Sequence, residues 1–119
     1  MQRIYVAGAY SDNNVMGVLN NMRKGLILST RAFLAGYAVF SPWLDYQFVF
    51  QCNDEDIKNL KVENFYKYSI AWLDVSDAML LVPGWEDSYG TKKEIEYAEA
   101  HGIPIFYSLE ELQKAVPAE

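Results

Sequence analysis

The chain has 119 residues, 51% hydrophobic and 22% charged, with a net charge of −6, which describes one packed domain and excludes disorder. The acidic balance argues against a nucleic-acid polymer as partner, because phosphate contacts need Lys and Arg. A single Cys52 excludes an internal disulfide and any multi-Cys metal site, and it suits a reducing cytoplasm.

No stretch approaches the roughly 20 apolar residues of a membrane span, and Arg3 is followed by only a short apolar run before Ser11. A cytoplasmic protein with no membrane partner is therefore expected, as a single domain over residues 1–119. Aromatics make up 15% of the chain, nine of them Tyr. Tyr and Trp join apolar area to a polar tip, so some are expected to line a site or a subunit interface.

Arg3 to Gly8 is a short β-branched and apolar run, read as the first, central strand. Gly8 to Asn14 is a polar turn with several residues able to cap a helix. From Val15 the positions Val18, Leu19, Met22, Leu26 and Phe33 recur at helical spacing, and Gly36 closes the segment. Ala38-Val39-Phe40 is a second strand, stopped by Ser41-Pro42.

Trp43 to Asn53 is aromatic and apolar around a lone Asp45, a pattern open to two readings, a lid or an interface arm. Asp54 to Asp74 has helical spacing through Ile57, Leu60, Phe65, Trp72 and Leu73, with the last two expected in the core. Ala78 to Val82 has the length of a fully buried strand. Val82 to Glu94 is the chemically richest loop, and Thr91 to Ala100 reads as the helix after it, ending at Gly102. Ile103 to Tyr107 is a fourth strand. Ser108-Leu109-Glu110-Glu111 is a capping box for a last helix, Leu109 to Ala115.

Strands alternating with helices imply an α/β fold with right-handed crossovers. The expected form is a flavodoxin-like or Rossmann-like three-layer sandwich with a mainly parallel sheet of four to five strands, ordered 2-1-3-4. Its switch point lies between strands one and three, where ligands bind at the carboxyl edge. Gly8, Tyr10 and Ser11 then meet Trp85, Ser88, Gly90, Thr91 and Glu94 in one crevice.

Glu94 has two readings. Thr91-x-x-Glu94 fits a capping box, with Glu94 folded back on the helix start. Alternatively, a first-turn carboxylate near the positive helix end stays ionised, and facing a crevice it is a nucleophile for an electrophilic sugar carbon. Gly90-Thr91 lacks the glycines and preceding Lys of a triphosphate loop, leaving room for one monophosphate or a hydroxyl. Trp85 is placed to stack on a base, whereas His101 reads as a solvated helix-end residue and Cys52 as a core or interface residue. No metal or cofactor is expected.

Ile4-Tyr5-Val6-Ala7-Gly8-Ala9-Tyr10-Ser11 resembles the opening strand and loop of the nucleoside 2-deoxyribosyltransferase superfamily. Ser88-x-Gly90-Thr91-x-x-Glu94-x-x-x-Ala98, followed by Gly102-x-Pro104, resembles its signature helix. Gly84-Trp85-x-x-Ser88-x-Gly90 is similar to a pattern in small branches often encoded by phages. The resemblance spans nearly the whole chain. It implies that Glu94 attacks the anomeric carbon of a nucleoside or nucleotide, expels the base and forms a glycosyl-enzyme. Another base completes a transferase cycle, and water a hydrolase cycle.

By the same resemblance Tyr5 steadies the carboxylate, Gly8 lets substrate approach the backbone, and Ser88 binds the sugar or its phosphate. Tyr10 or Trp85 lies against the base, and neighbouring subunits complete the pocket, so a homodimer or larger is expected. Two positions depart from the family. Ser69 stands where an Asp helps protonate or orient the base, with Asp45 as a possible substitute, and Ala9 stands where relatives carry Pro or Ser. The departure at Ser69 keeps a second function open, a non-catalytic pocket for a nucleotide or an NAD-derived ligand. A third is an interaction protein with an inert crevice.

Overall fold

The computed structural model describes residues 1–119. Four strands form one parallel sheet: β1 (Arg3–Ala7), β2 (Ala38–Phe40), β3 (Ala78–Leu81) and β4 (Ile105–Phe106), in the order β2-β1-β3-β4. This is the expected topology. β1 pairs with β2 from Arg3↔Ala38 and with β3 from Ile4↔Ala78, while β3 pairs with β4 at Met79↔Ile105. At the entrance to β3, Asp77 accepts a hydrogen bond from the Arg3 amide at 2.7 Å and helps fix that register.

Successive side chains of a strand face opposite sides, and both faces of β1 and β3 are covered. Ile4, Val6, Ala78, Leu80 and Val82 pack toward α1 (Val15–Leu34) and α6 (Leu109–Ala115). Tyr5, Ala7, Met79 and Leu81 pack toward α4 (Val62–Asp74) and α5 (Tyr89–Ala100). Helices on both faces of a parallel sheet make the three layers.

Helix α1 starts where Asn14 accepts from the Gly17 amide at 2.8 Å, and the chain leaves it through Gly36 at φ +102°. The segment 54–74 is two helices. Leu60 and Lys61 are extended between α3 (Asp54–Asn59) and α4, and Asn64 caps the Lys61 amide at 2.8 Å. At α6, Ser108 accepts from the Glu111 amide as expected, but Glu111 reaches back to Tyr107.

The stretch after β2, open to two readings from sequence, has two pieces. It forms a 3-10 turn, Pro42–Asp45, and a short helix α2, Tyr46–Phe50. Leu44, Tyr46, Phe48, Val49 and Phe50 stay exposed, whereas Trp43 turns inward and is buried. Its indole occupies the space that a side chain at Gly25 would need, and its Nε1 donates to Ala9 O at 3.0 Å. Trp72, expected in the core beside the buried Leu73, is half exposed and stacks on Phe40 instead, with centroids 5.7 Å apart.

Candidate active site

Helix α5 begins at Tyr89, two residues before the Thr91 start that the spacing predicts. Ser88, with extended backbone, is the N-cap; its Oγ accepts from the Thr91 amide at 3.1 Å and from Thr91 Oγ1 at 2.9 Å. Thr91 is buried against that cap. The expected Thr91–Glu94 capping box is therefore absent. Glu94 lies in the second turn, beyond the free amides of the helix start.

Its carboxylate points across the sheet to the central strand, where Glu94 Oε2 accepts a hydrogen bond from the Tyr5 hydroxyl. Tyr5 is wholly buried and stacks on Phe40 with centroids 5.3 Å apart. The other oxygen, Oε1, bonds no protein group. Ser29 Oγ is the sole sealed side-chain atom without a partner, so Glu94 Oε1 reaches solvent.

Burial dominates the electrostatics. Removing water from Glu94 raises its pKa from the ordinary 4.5 to about 7, against a smaller downward pull from the Tyr5 bond. That corrects the expectation of a carboxylate held ionised by the helix end. Tyr5 itself is raised well above the usual tyrosine value by burial and then by the Glu94 charge, so it stays protonated and donating. Ser69, buried on α4, acts on the Tyr5 hydroxyl in the opposite sense, which sets it beside the Tyr5–Glu94 pair.

A second carboxyl stands at the same edge. Asp45 closes the turn after β2, half-buried, and its Oδ1 accepts from the Tyr10 hydroxyl at 2.8 Å. Its pKa is raised by burial and drawn back by that bond, while burial and Asp45 together push Tyr10 up. Tyr10 is thus committed to Asp45.

Gly8 serves packing: a Cβ there would lie 2.7 Å from Val82 Cβ and 3.3 Å from the Trp43 ring, so the space expected for substrate is already filled. Ser11 lines a polar cleft of about 230 Å³ with Asp12, Asn21, Lys24, Gly84 and Asp87, between the loops that follow β1 and β3. Trp85 packs on the α4–α5 side of the sheet and 6.0 Å from the Tyr107 ring. Gly90 is exposed, with open space where a side chain would be.

The structure therefore brings Tyr5, Ser69 and Glu94 together, sets Tyr10 and Asp45 beside them, and leaves Ser88 and Thr91 engaged in capping. Sequence reasoning missed the aromatic wall of Phe40, Tyr68 and Phe48, whose neighbouring centroids lie 5.8 and 5.5 Å apart. It also missed Lys93 over the rings of Tyr66 and Tyr89, at 5.7 and 5.0 Å. No group of three or more His, Cys, Asp or Glu is placed to hold a metal, and no helix is long and apolar enough to cross a membrane.

Among protein families, residues 2–107 match a domain of unknown function (DUF4406), and the chain belongs to that family. A search among curated proteins finds no match.

Proposed function

We propose that this DUF4406 protein cleaves or exchanges the N-glycosidic bond of a (deoxy)nucleoside or nucleoside monophosphate, with Glu94 as nucleophile, as its resemblance to nucleoside 2-deoxyribosyltransferases implies. The observation that carries the reading is the Glu94 carboxylate itself. It is buried, bonded through Oε2 to Tyr5, open at Oε1, and turned away from its own helix start. A capping residue would be bound to backbone amides. A nucleophile needs one oxygen fixed and the other free.

In the reaction, Glu94 Oε1 bonds to the anomeric carbon as the carbon–nitrogen bond breaks and its electron pair leaves with the base. Water or a second base then displaces Glu94. A pKa of about 7 leaves a substantial ionised fraction at neutral pH, and it makes the carboxylate more basic than a solvated one. Tyr5, protonated throughout, holds the attacking group against rotation. The exposed Gly90 and the Ser88 hydroxyl proton leave the start of α5 available to a hydroxyl or one phosphate.

One observation favours a second reading. Ser69 puts a hydroxyl, not an acid, beside the Tyr5–Glu94 pair; a site without its base-protonating acid suits a binding protein for a nucleotide or NAD-derived ligand. We further propose a cytoplasmic homodimer or larger assembly that takes small molecules and neither nucleic-acid polymers nor membranes. Incubation with a 2-fluoro-substituted nucleoside separates the two functions. Intact-protein mass spectrometry is expected to show a sugar adduct on the peptide containing Glu94, and none on Glu94→Gln. Thermal stabilisation by nucleotides with no adduct and no turnover would favour the binding protein.

A further inference from the structure

We propose that Asp45, held by Tyr10, is the acid that protonates the departing base, in place of the carboxyl that position 69 lacks. The inference rests on the glycosidic reading above. It starts from two loops locked together at the carboxyl edge of the sheet. Trp43 Nε1 donates to Ala9 O at 3.0 Å, and the Tyr10 hydroxyl donates to Asp45 Oδ1 at 2.8 Å. The loop after β2 is thereby fixed to the loop after β1, and Asp45 is fixed with it.

The sheet order then sets the geometry. The turn after β2 carries Asp45, the helix after β3 carries Glu94, and β2 and β3 flank the central strand that carries Tyr5, the partner of Glu94. The charge of Asp45 is felt at Tyr5, as is that of Glu94. Glycoside cleavage uses a pair of carboxyls, one attacking carbon and the other serving the leaving group, and the elements after the two strands flanking β1 supply such a pair.

Like Glu94, Asp45 has one oxygen bonded and the other free: Tyr10 occupies Oδ1, while Oδ2 bonds no protein group and is not sealed. Partial burial raises the Asp45 pKa, against the downward pull of the Tyr10 bond. A base seated over the carboxyl removes the remaining water, which acts in the same direction as burial.

The step balances. Glu94 Oε1 forms its bond to the anomeric carbon, the carbon–nitrogen pair passes into the base, and the Oδ2 proton of Asp45 moves to a basic ring nitrogen. Asp45 is left ionised, with the Tyr10 hydroxyl stabilising its charge. In the second half, water or an incoming base attacks the same carbon and returns the electron pair to Glu94. Asp45 takes the attacker's proton.

The test compares leaving groups. A 2-deoxyadenosine-type nucleoside needs its base protonated, whereas a 7-methylguanine nucleoside carries a cationic base that departs neutral without an acid. Asp45→Asn is expected to lose at least about 100-fold in kcat/KM on the first, the usual reach of general-acid catalysis, and less than about 5-fold on the second. Asp45→Glu, which keeps a titratable carboxyl, is expected to fall between wild type and Asp45→Asn on the first substrate. Glu94→Gln should lose both activities.

Equal losses of Asp45→Asn on both nucleosides would make Asp45 a structural clamp and overturn the proposal, and so would no loss on either. A wild type that cleaves neither overturns it together with the glycosidic reading. Wild-type cleavage of both, with no split in Asp45→Asn, overturns this step alone.

Discussion

Replacing Glu94 with Gln should make the protein more stable and, on the reading above, inactive. The folded protein holds a proton on Glu94 up to about pH 7, while an ordinary carboxyl releases it near 4.5. Between those values the folded state binds more protons than the unfolded chain, so stability falls as pH rises through the window. At roughly 1.4 kcal/mol per tenfold change in proton affinity, the loss is about 3 kcal/mol once both forms are ionised. Gln never ionises, and its carbonyl oxygen still accepts from Tyr5. Its amide nitrogen takes the place of Oε1, which reaches solvent, so no donor is stranded. Urea denaturation at pH 8 should therefore show Glu94→Gln more stable by about 2–3 kcal/mol with an unchanged m-value. At pH 4.5 the two proteins should nearly coincide. In melting temperature the pH 8 gain corresponds to roughly 10 °C for a domain of this size. Equal stability at pH 8, or a loss of the same size at both pH values, would refute the claim that burial strains this carboxylate.

Tyr5→Phe keeps the stack on Phe40 but removes the one bond that pulls the Glu94 pKa down. The acid limb of the kcat/KM profile should move to higher pH, and a limb that stays put would deny Tyr5 that role. Trp85→Ala should lower stability by about 2 kcal/mol, less than for a fully buried aromatic because the ring is only partly covered, with nucleoside affinity nearly unchanged; calorimetric binding with a weaker Kd would instead place the ring on the ligand. A cationic iminosugar should bind about 100-fold more tightly than its neutral carbocyclic analogue, as mimics of a positively charged transition state do, and Glu94→Gln should erase the difference. Leu19, Ile27, Phe33 and Leu34 of α1 are all exposed, and light scattering at micromolar concentration should report a dimer or larger mass.

The fold was legible because each strand is a short apolar run and each long helix repeats its apolar positions at helical spacing. Ala38–Phe40 and Leu109–Ala115 fall where the pattern places them. Ends were less legible, since Ser88 and Thr91 are equally good N-caps and only the extended backbone at Ser88 decides between them. That difference carried Glu94 from a cap to the interior of the site. The inward turn of Trp43 was not legible, because an aromatic run does not say which ring turns inward. The signal was nearby in Gly25, costly at mid-helix by about 1 kcal/mol relative to Ala and tolerated here because the indole lies against it. The partnership of Tyr10 with Asp45 spans 35 positions and follows only once β2 is known to lie beside β1.

What the site lacks is as informative as what it holds. A buried carboxylate is ordinarily paired with Arg or Lys, because an unpaired charge in a low-dielectric interior is strongly disfavoured. The chain has ten such cations, and none forms a salt bridge with Glu94 or Asp45; the two ion pairs present, Lys67–Glu63 and Met1–Glu119, are on the surface. Lys93, adjacent to Glu94 in sequence, turns instead to the rings of Tyr66 and Tyr89. A neutral donor, Tyr5, orients the carboxylate without neutralising it. The negative potential left over is complementary to positive charge at a carbon held near Oε1. Cleavage of a glycosidic bond develops such charge at the anomeric carbon, shared with the ring oxygen. A site aimed at a phosphate or carboxylate ligand at this point would have the opposite sign. On the proposed glycosidic reading, the stability given up at Glu94 and the stabilisation offered to a cationic transition state would be the same electrostatic fact, seen first without substrate and then with it.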